Sequence, residues 1–347
     1  MRDLIKLFFT IILTMVSMIA LGNQKQLRVF QLNIWQEGTM IEKGYEAIVE
    51  EILDKDADVV MLSEVRNYKG VDFVQRLISS LKDRGVNYYG ESSHPKLDVA
   101  FLSKYPIEDQ QPLYHKDKQI ASVLKSRIKV NNKQFLFYSV HLDYTNYACY
   151  LPRGYDGVTW KKLNQKITDV AAIVTANKKS KRDEAIVDII NDIKKESKNQ
   201  TIMIAGDFNE PSHLDWIDET KNLYDHSGTV IPWDCSILLA EAKFTDSFRK
   251  IYPNPVTHPG FTFASFNKDA ELSKLAWAPE ADDRDRIDYI YYKSNNKVNL
   301  KNIQIVGPVE TICYGIKQEK DSNDNFLLPK DRWPTDHKGL LATFVWK

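Results

Sequence analysis

Residues 201–211 read T-I-M-I-A-G-D-F-N-E-P, and the reading of the fold turns on them. Thr201 to Ala205 are β-branched or apolar, the composition of a buried strand, and Gly206 ends the run. Asp207 and Asn209 then stand at the strand end, and Pro211 keeps the strand from continuing. A carboxylate and a carboxamide two residues apart, on a turn leaving a buried strand, suit an α/β active site. They equally suit an ordinary Asx turn, which Asp and Asn favour for local conformational reasons. The stretch alone does not separate the two.

Outward from it, other strands carry polar residues at their ends. Leu27 to Trp35 reads as a strand bearing Asn33, and Asp58 to Leu62 as a buried one followed by Glu64 and Arg66. Leu97 to Ser103, Ser122 to Val130 and Gln134 to Asp143 read as three more, the last two joined as a hairpin by Asn131-Asn132. Arg286 to Tyr292, with Asp288 inside it, and Leu340 to Trp346 close the set. Helical spacing appears over Glu42 to Asp56, Val71 to Arg84 and most of Lys161 to Lys198, with a polar break near Asn177 to Lys181. Pro253 to Pro259 and Pro279 to Arg286 read as loops. Hairpins mixed with strand–helix alternation predict a mixed sheet pair flanked by helices in one domain over 23–347.

Composition narrows the function. The 347 residues are 43% hydrophobic and 27% charged, with 47 basic and 47 acidic side chains and a net charge of zero. That argues against a nucleic-acid-coating protein with a strongly basic surface but leaves room for an enzyme that touches only a few phosphates. Arg2 and Lys6 precede an uncharged run from Leu7 to Leu21, and Ala20-Leu21-Gly22 fits a small-x-small cleavage site. Residues 1–22 are therefore expected to be an export signal, which makes the mature chain periplasmic or secreted. Cys149, Cys235 and Cys313 are three and lack metal-type spacing, so one disulfide with a free thiol fits them but a disulfide scaffold does not.

Asn33, Glu64, His141-x-Asp143, Asp207-x-Asn209 and Asp336-His337 all fall at strand ends or beside them, and Asp288 sits inside an apolar strand. Oxygen donors of this kind suit a hard cation such as Mg²⁺, with Mn²⁺ or Ca²⁺ as alternatives; a Zn²⁺ site wants His or Cys at close spacing. No P-loop and no H-E-x-x-H is present. Asp246 reads as a turn cap, and His94, His115, His213, His226 and His258 read as structural.

Seven stretches in order resemble the endonuclease/exonuclease/phosphatase superfamily, the deoxyribonuclease I-like proteins. They are L-N-I-W at Asn33, L-S-E-V-R at Glu64, S-V-H-L at His141, A-G-D-F-N at Asp207, T-D-S-F-R at Asp246, D-R-I-D-Y-I at Asp288 and T-D-H at His337. The resemblance implies a four-layered α/β/β/α sandwich, two packed mixed sheets with helices outside, and a metal-dependent phosphoester hydrolase. It makes Glu64 the main Mg²⁺ ligand, supported by Asn33 and Asp336, and pairs His337 with Asp288. Asp207 would orient or deprotonate the attacking water, while Asn209 and His141 would donate to phosphoryl oxygens.

Substrate is not set by that resemblance. A-G-D-F-N-E-P departs from the 5-phosphatase pattern, and His141 resembles the deoxyribonuclease and sphingomyelinase branches more than the abasic-site enzymes. The distinctive part is the aromatic loop after His141, from which Asp143, Tyr144 and Arg153 are expected to contact substrate, with Arg66 contributing from beside Glu64. Self-packing of the loop and a surface salt bridge for Arg66 are the bland alternatives. Three functions stand open for this monomer: an exported phosphodiesterase on small or lipid-derived esters, a secreted nuclease, and a non-catalytic binding protein on the same fold.

Overall fold

The computed structural model describes residues 24–91, 97–113, 121–295 and 297–347; the export signal expected at 1–22, with His94 and His115, lies outside them. Strands β1 (Lys25–Asn33), β2 (Val59–Ser63) and β3 (Val99–Ser103) build half of the first sheet. β4 (Ile107–Pro112), β5 (Ala121–Val130), β6 (Lys133–Leu142), β7 (Thr201–Asp207), β8 (Thr245–Asp246) and β9 (Asp288–Ser294) form the second, in the order β4-β5-β6-β7-β9-β8. The chain then returns with β10 (Asn299–Val306), a small hairpin of β11 (Thr311–Cys313) and β12 (Ile316–Gln318), β13 (Phe326–Leu327) and β14 (Gly339–Trp346), giving a first sheet of order β13-β10-β14-β1-β2-β3. Both sheets are mixed: β1–β2 and β6–β7 are parallel, β1–β14 and β7–β9 antiparallel.

Alternation along the strands explains the layers. Met203 and Ala205 of β7 point into a core between the sheets with Val29, Met61, Phe137, Ile290 and Ala342. Ile202 and Ile204 point the other way, onto Ile186 and Ile189 of helix Arg182–Ile193 and Leu239 of helix Asp234–Glu241. On the first sheet Phe30 and Leu62 meet Ile48 and Ile52 of helix Gly44–Lys55 and Leu77 of helix Phe73–Asp83. Helix, sheet, sheet, helix is the expected four-layered order. Each fully buried aliphatic side chain contributes about 1.5–3 kcal/mol.

The inter-sheet face changes character toward one end. On β1 it runs Leu27, Val29, Gln31, Asn33; on β2 Val59, Met61, Ser63; on β6 Phe135, Phe137, Ser139, His141; on β7 Met203, Ala205, Asp207. The same face that makes the core thus becomes polar where the parallel strands end. Register places His141 opposite Asp207 and Asp207 opposite Asp288. Gly206 makes this possible: its φ is 151° and a Cβ would lie 1.8 Å from the Val140 carbonyl oxygen.

Two local expectations change. Residues 161–169 are not helical although Leu163 and Ile167 are four apart, because their N–H groups bond to the carbonyls of Gly154 and Leu151. Helix begins only at Val170, where Asp169 accepts the Ala172 N–H at 2.7 Å. All three cysteines are free and buried, so no disulfide forms. Among the described residues no helix is long and apolar enough to cross a membrane.

Candidate active site

Asp207 lies at the centre of the polar end. Its Oδ1 accepts the Asn209 N–H at 2.8 Å, so the Asx turn is real, and Oδ2 accepts Asn33 Nδ2–H at 3.0 Å. Ser63 Oγ accepts the Asp207 N–H at 3.4 Å and donates to the Val140 carbonyl at 3.1 Å, joining the sheets behind the turn. Asn209, at φ 49°, donates Nδ2–H to the Leu142 carbonyl at 3.0 Å. A local turn and a tertiary site are here the same object.

Two histidines approach Asp207 Oδ2 from either side, His141 Nε2 and His337 Nε2 each 3.8 Å away. That is beyond a hydrogen bond, so neither Nε2–H is spent on Asp207 directly. Each ring is held from behind by its own carboxylate: His337 Nδ1 by Asp288 Oδ2 at 2.9 Å, and His141 Nδ1 by Asp98 Oδ2 at 2.8 Å. Burial disfavours the charge on His337, but Asp288 and Asp207 overcome it and carry the ring up to about 10. The same contest, with Asp98 as the main partner, raises His141 to about 9. Asp98 itself is held at about 2: burial acts upward, and the charge and hydrogen bond of His141 outweigh it. Both imidazoles are therefore cations at neutral pH.

Asp288 is fully engaged, since its Oδ1 accepts Gln31 Nε2–H at 2.8 Å. Asp207 is raised to about 6 by burial and by Asp288, against the pull of His337 and His141. The start of β9 is pinned by Arg286, whose guanidinium takes Asp215 and, at 2.7 Å, Asp246. Asp246 also caps the next helix, accepting Phe248 and Arg249 N–H groups, as its reading as a structural residue requires.

Glu64 and Asp336 face the pocket on the other side of Asn33. Glu64, at φ 70°, accepts Asn33 Nδ2–H on Oε1 at 3.1 Å and the Gln36 N–H on Oε2 at 2.9 Å. Burial raises the Asp336 carboxyl to about 7, with His337 pulling it down and Glu64 pushing it up. Asp207, Asp288 and His337 can also bring ligand atoms within 4.8 Å of one another. A metal there would have to replace a proton on a ring nitrogen of a charged His337, which disfavours it. Glu64 and Asp336 offer oxygen donors and leave the His337–Asp288 pair intact. Around the site five carboxylates (Glu64, Asp98, Asp207, Asp288, Asp336) face two imidazoles and Arg66, a balance that a divalent cation would close.

The pocket over these groups has a volume of about 310 Å³. Glu64, Arg66, His141, Asp207, Asn209, Asp336 and His337 line one end, and Tyr144 lines the mouth at 60% exposure. Arg66 reaches Glu64 Oε2 at 3.3 Å and stays half exposed. Two expected contacts fail. Arg153 does not reach the pocket: it is 2% exposed, paired with Asp285 and donating to the carbonyls of Arg284 and Tyr224. Asp143 folds back on its own turn, accepting the Thr145 N–H at 2.9 Å and its hydroxyl at 2.8 Å. Conversely, Asp98, Gln31, Phe263 and Trp277 join the site or its wall without having been singled out. Asp98 meets His141 only through tertiary packing, 43 residues away.

Residues 31–337 match the family described as the Endonuclease/Exonuclease/phosphatase family. The chain is 31% identical to an uncharacterized protein of Caenorhabditis elegans over 99% of each. Among solved structures it superposes on D. rerio TDP2 complexed with single strand DNA product with a TM-score of 0.53 at 15% identity, covering 92% of this chain and 99% of that one. An endonuclease/exonuclease/phosphatase from Bacteroides vulgatus gives 0.51 at 15% identity, with 92% and 98% covered. These two likenesses show the fold.

Proposed function

The chain belongs to the endonuclease/exonuclease/phosphatase family, an enzyme family of metal-dependent phosphoester hydrolases, and from that premise we propose that it is a divalent-cation-dependent phosphodiesterase acting by in-line attack of water. The observation that carries the reading is the pair of histidines, each charged by its own carboxylate, converging on Asp207 Oδ2 beside Glu64 and Asp336. Asp207, titrating near 6, is ionised at neutral pH yet basic enough to orient and deprotonate a water. The Nε2–H groups of His141 and His337 donate to the phosphoryl oxygens, where charge accumulates as the water attacks. Asn209 is held by the Leu142 carbonyl and the Asp207 carboxylate so that its remaining amide hydrogen adds to them. Glu64 and Asp336 would hold the cation, which when bound neutralises charge on the phosphoryl group; Asn33, expected as a third ligand, instead has its Oδ1 on the Trp35 N–H and turns its Nδ2–H to Glu64 and Asp207, so it orients the carboxylates. Oxygen donors suit Mg²⁺, and Mn²⁺ and Ca²⁺ share that preference.

Hydrolysis of bis(p-nitrophenyl) phosphate should require Mg²⁺, stop with EDTA and return with excess Mg²⁺. Glu64→Ala, Asp207→Ala and His337→Ala should each lose about 100- to 1000-fold in kcat. Full activity in all three would sink the mechanism, and binding without turnover by the wild type would favour a non-catalytic role. Because D. rerio TDP2 was solved with single strand DNA product, plasmid nicking run in parallel tests the nuclease reading. Export through residues 1–22 rests on Arg2, Lys6 and the apolar run after them; mass spectrometry of the mature protein from the cell exterior should show cleavage after Gly22.

A further inference from the structure

Besides its polar groups the pocket is lined by aromatic rings, and Trp160 touches three of them, Tyr147, Tyr150 and Trp277. It packs edge-on against Tyr150, 5.6 Å between centroids at 80°, and tilted against Trp277, 5.4 Å at 55°. Its backbone lies at φ 62°, an outlier for so bulky a side chain. Such conformations persist where the surroundings over-determine them, and they cluster at ligand clamps.

Here the surroundings do so. Asp156 accepts the N–H groups of Val158 and Thr159 on Oδ1, and its carbonyl accepts the Trp160 N–H at 3.0 Å. Gly157 lies so near the Tyr147 backbone that a Cβ would come within 2.4 Å of its carbonyl oxygen. The loop is then tied to the segment bearing Trp277. Tyr150 Oη donates to Asp283 Oδ2 at 3.2 Å, the same oxygen that accepts the Ala278 N–H at 3.2 Å. Glu280 N–H donates to Tyr155 Oη at 3.1 Å. Trp277 is 47% exposed and belongs to no buried cluster, so the core gives no reason for a tryptophan there.

We propose that Trp160 and Trp277 form a preorganised stacking platform for a planar ring on the phosphoester, which makes the substrates small diesters carrying a flat aromatic group. The inference rests on the phosphodiesterase reading of the same pocket. A polymer would need a track of basic groups for successive phosphates, and among the described residues that line the pocket Arg66 is the one Lys or Arg. A choline-type headgroup would want rings spread around a cation, whereas these rings pack on one another.

The test compares thymidine 5′-(methyl phosphate), ethyl methyl phosphate and glycerophosphocholine in Mg²⁺, with products read by mass spectrometry. The wild type should prefer the thymidine ester over ethyl methyl phosphate by about 5- to 150-fold in kcat/KM, the range for one stacked base. Trp160→Ala and Trp277→Ala should remove most of that preference, and Trp160→Phe should keep part of it. No preference in the wild type, a preference that survives both alanine variants, or a preference for glycerophosphocholine would overturn the platform. Thermal melting identifies a Trp160→Ala chain that fails to fold, in which case Trp277→Ala and Trp160→Phe decide. If the wild type hydrolyses none of the three, bis(p-nitrophenyl) phosphate and plasmid DNA decide whether the phosphodiesterase reading fails, and fluorescence titration with thymidine 5′-monophosphate still decides the platform. Quenching that Trp277→Ala abolishes supports it; absence of binding overturns it.

Discussion

A histidine buried at the end of an apolar layer would ordinarily be neutral, and single carboxylates decide otherwise for His141 and His337. Replacing Asp98 with Asn keeps a partner for His141 but removes the charge that lifts it to about 9. The ring should fall to its ordinary value near 6.5 or below. Measured as the wild-type to variant ratio in kcat, Asp98→Asn should then cost about 30-fold or more at pH 8 and under about 3-fold at pH 6. A ratio that does not change with pH would show that His141 need not be charged. Backbone constraint is equally local at Gly206. Gly206→Ala puts a methyl group on the Val140 carbonyl at a φ that L-residues avoid, so it should cost several kcal/mol in chemical denaturation, about 3 or more; a cost under 1 would mean that β6 and β7 can move apart. Asp207, Asn209 and His337 could be singled out in the sequence because each sits in a short motif at or beside a strand end, and Asp288 because a carboxylate inside an apolar strand needs a partner. Asp98 could not, since no local pattern announces a partner that only folding supplies.

At the scale of elements, the loop between β6 and helix Val170–Asn177 shows where periodicity misleads. Leu163 and Ile167 have helical spacing yet bond their N–H groups across the loop, and Arg153 looks like a free cation yet ties the loop to Asp285, Arg284 and Tyr224. Arg182 donates from the next helix to the carbonyls of Asp143, Thr145 and Asn146, fixing where the loop leaves β6. Arg153→Ala leaves Asp285 buried without its partner, which should cost about 3–5 kcal/mol. KM measured below the melting transition should stay near the wild-type value. A changed KM with unchanged stability would instead put Arg153 in contact with substrate. Strands were missed for related reasons. β4 is a polar edge strand ending at Pro112, with no apolar alternation to read. β10 carries a register shift between Leu300 and Asn302 that breaks its period of two.

For the molecule as a whole, the active site is the polar end of the layer that elsewhere welds the two sheets, and this couples its charge to stability. The buried strands and flanking helices could be read from hydrophobic period alone. Which sheet each strand joins could not, because β1, β10 and β14 meet across nearly the full length of the chain; the family resemblance supplied the four layers but not the strand order. The coupling has a definite sign. Asp207 and Asp336 titrate higher in the fold than when unfolded, at about 6 and 7, so the stability they contribute is full below about pH 4 and is lost as pH rises through 6–7. His141 and His337 are also raised, so theirs is full below about 6.5 and is lost as pH rises through 9–10. All four favour the protonated fold, and a divalent cation at Glu64 and Asp336 competes with protons for the same oxygens. The increment in Tm that Mg²⁺ produces over EDTA should therefore be small at pH 5.5 and grow through pH 8, where Mg²⁺ at 100 times its Kd would add about 2.7 kcal/mol. Taking the difference at each pH cancels the buried groups that titrate independently of the ion. Glu64→Gln with Asp336→Asn should abolish the increment, whereas Asp288→Asn should leave much of it. An increment that is equal at both pH values, or that survives the double variant but vanishes with Asp288→Asn, would move the cation to the Asp207–Asp288–His337 side of the site.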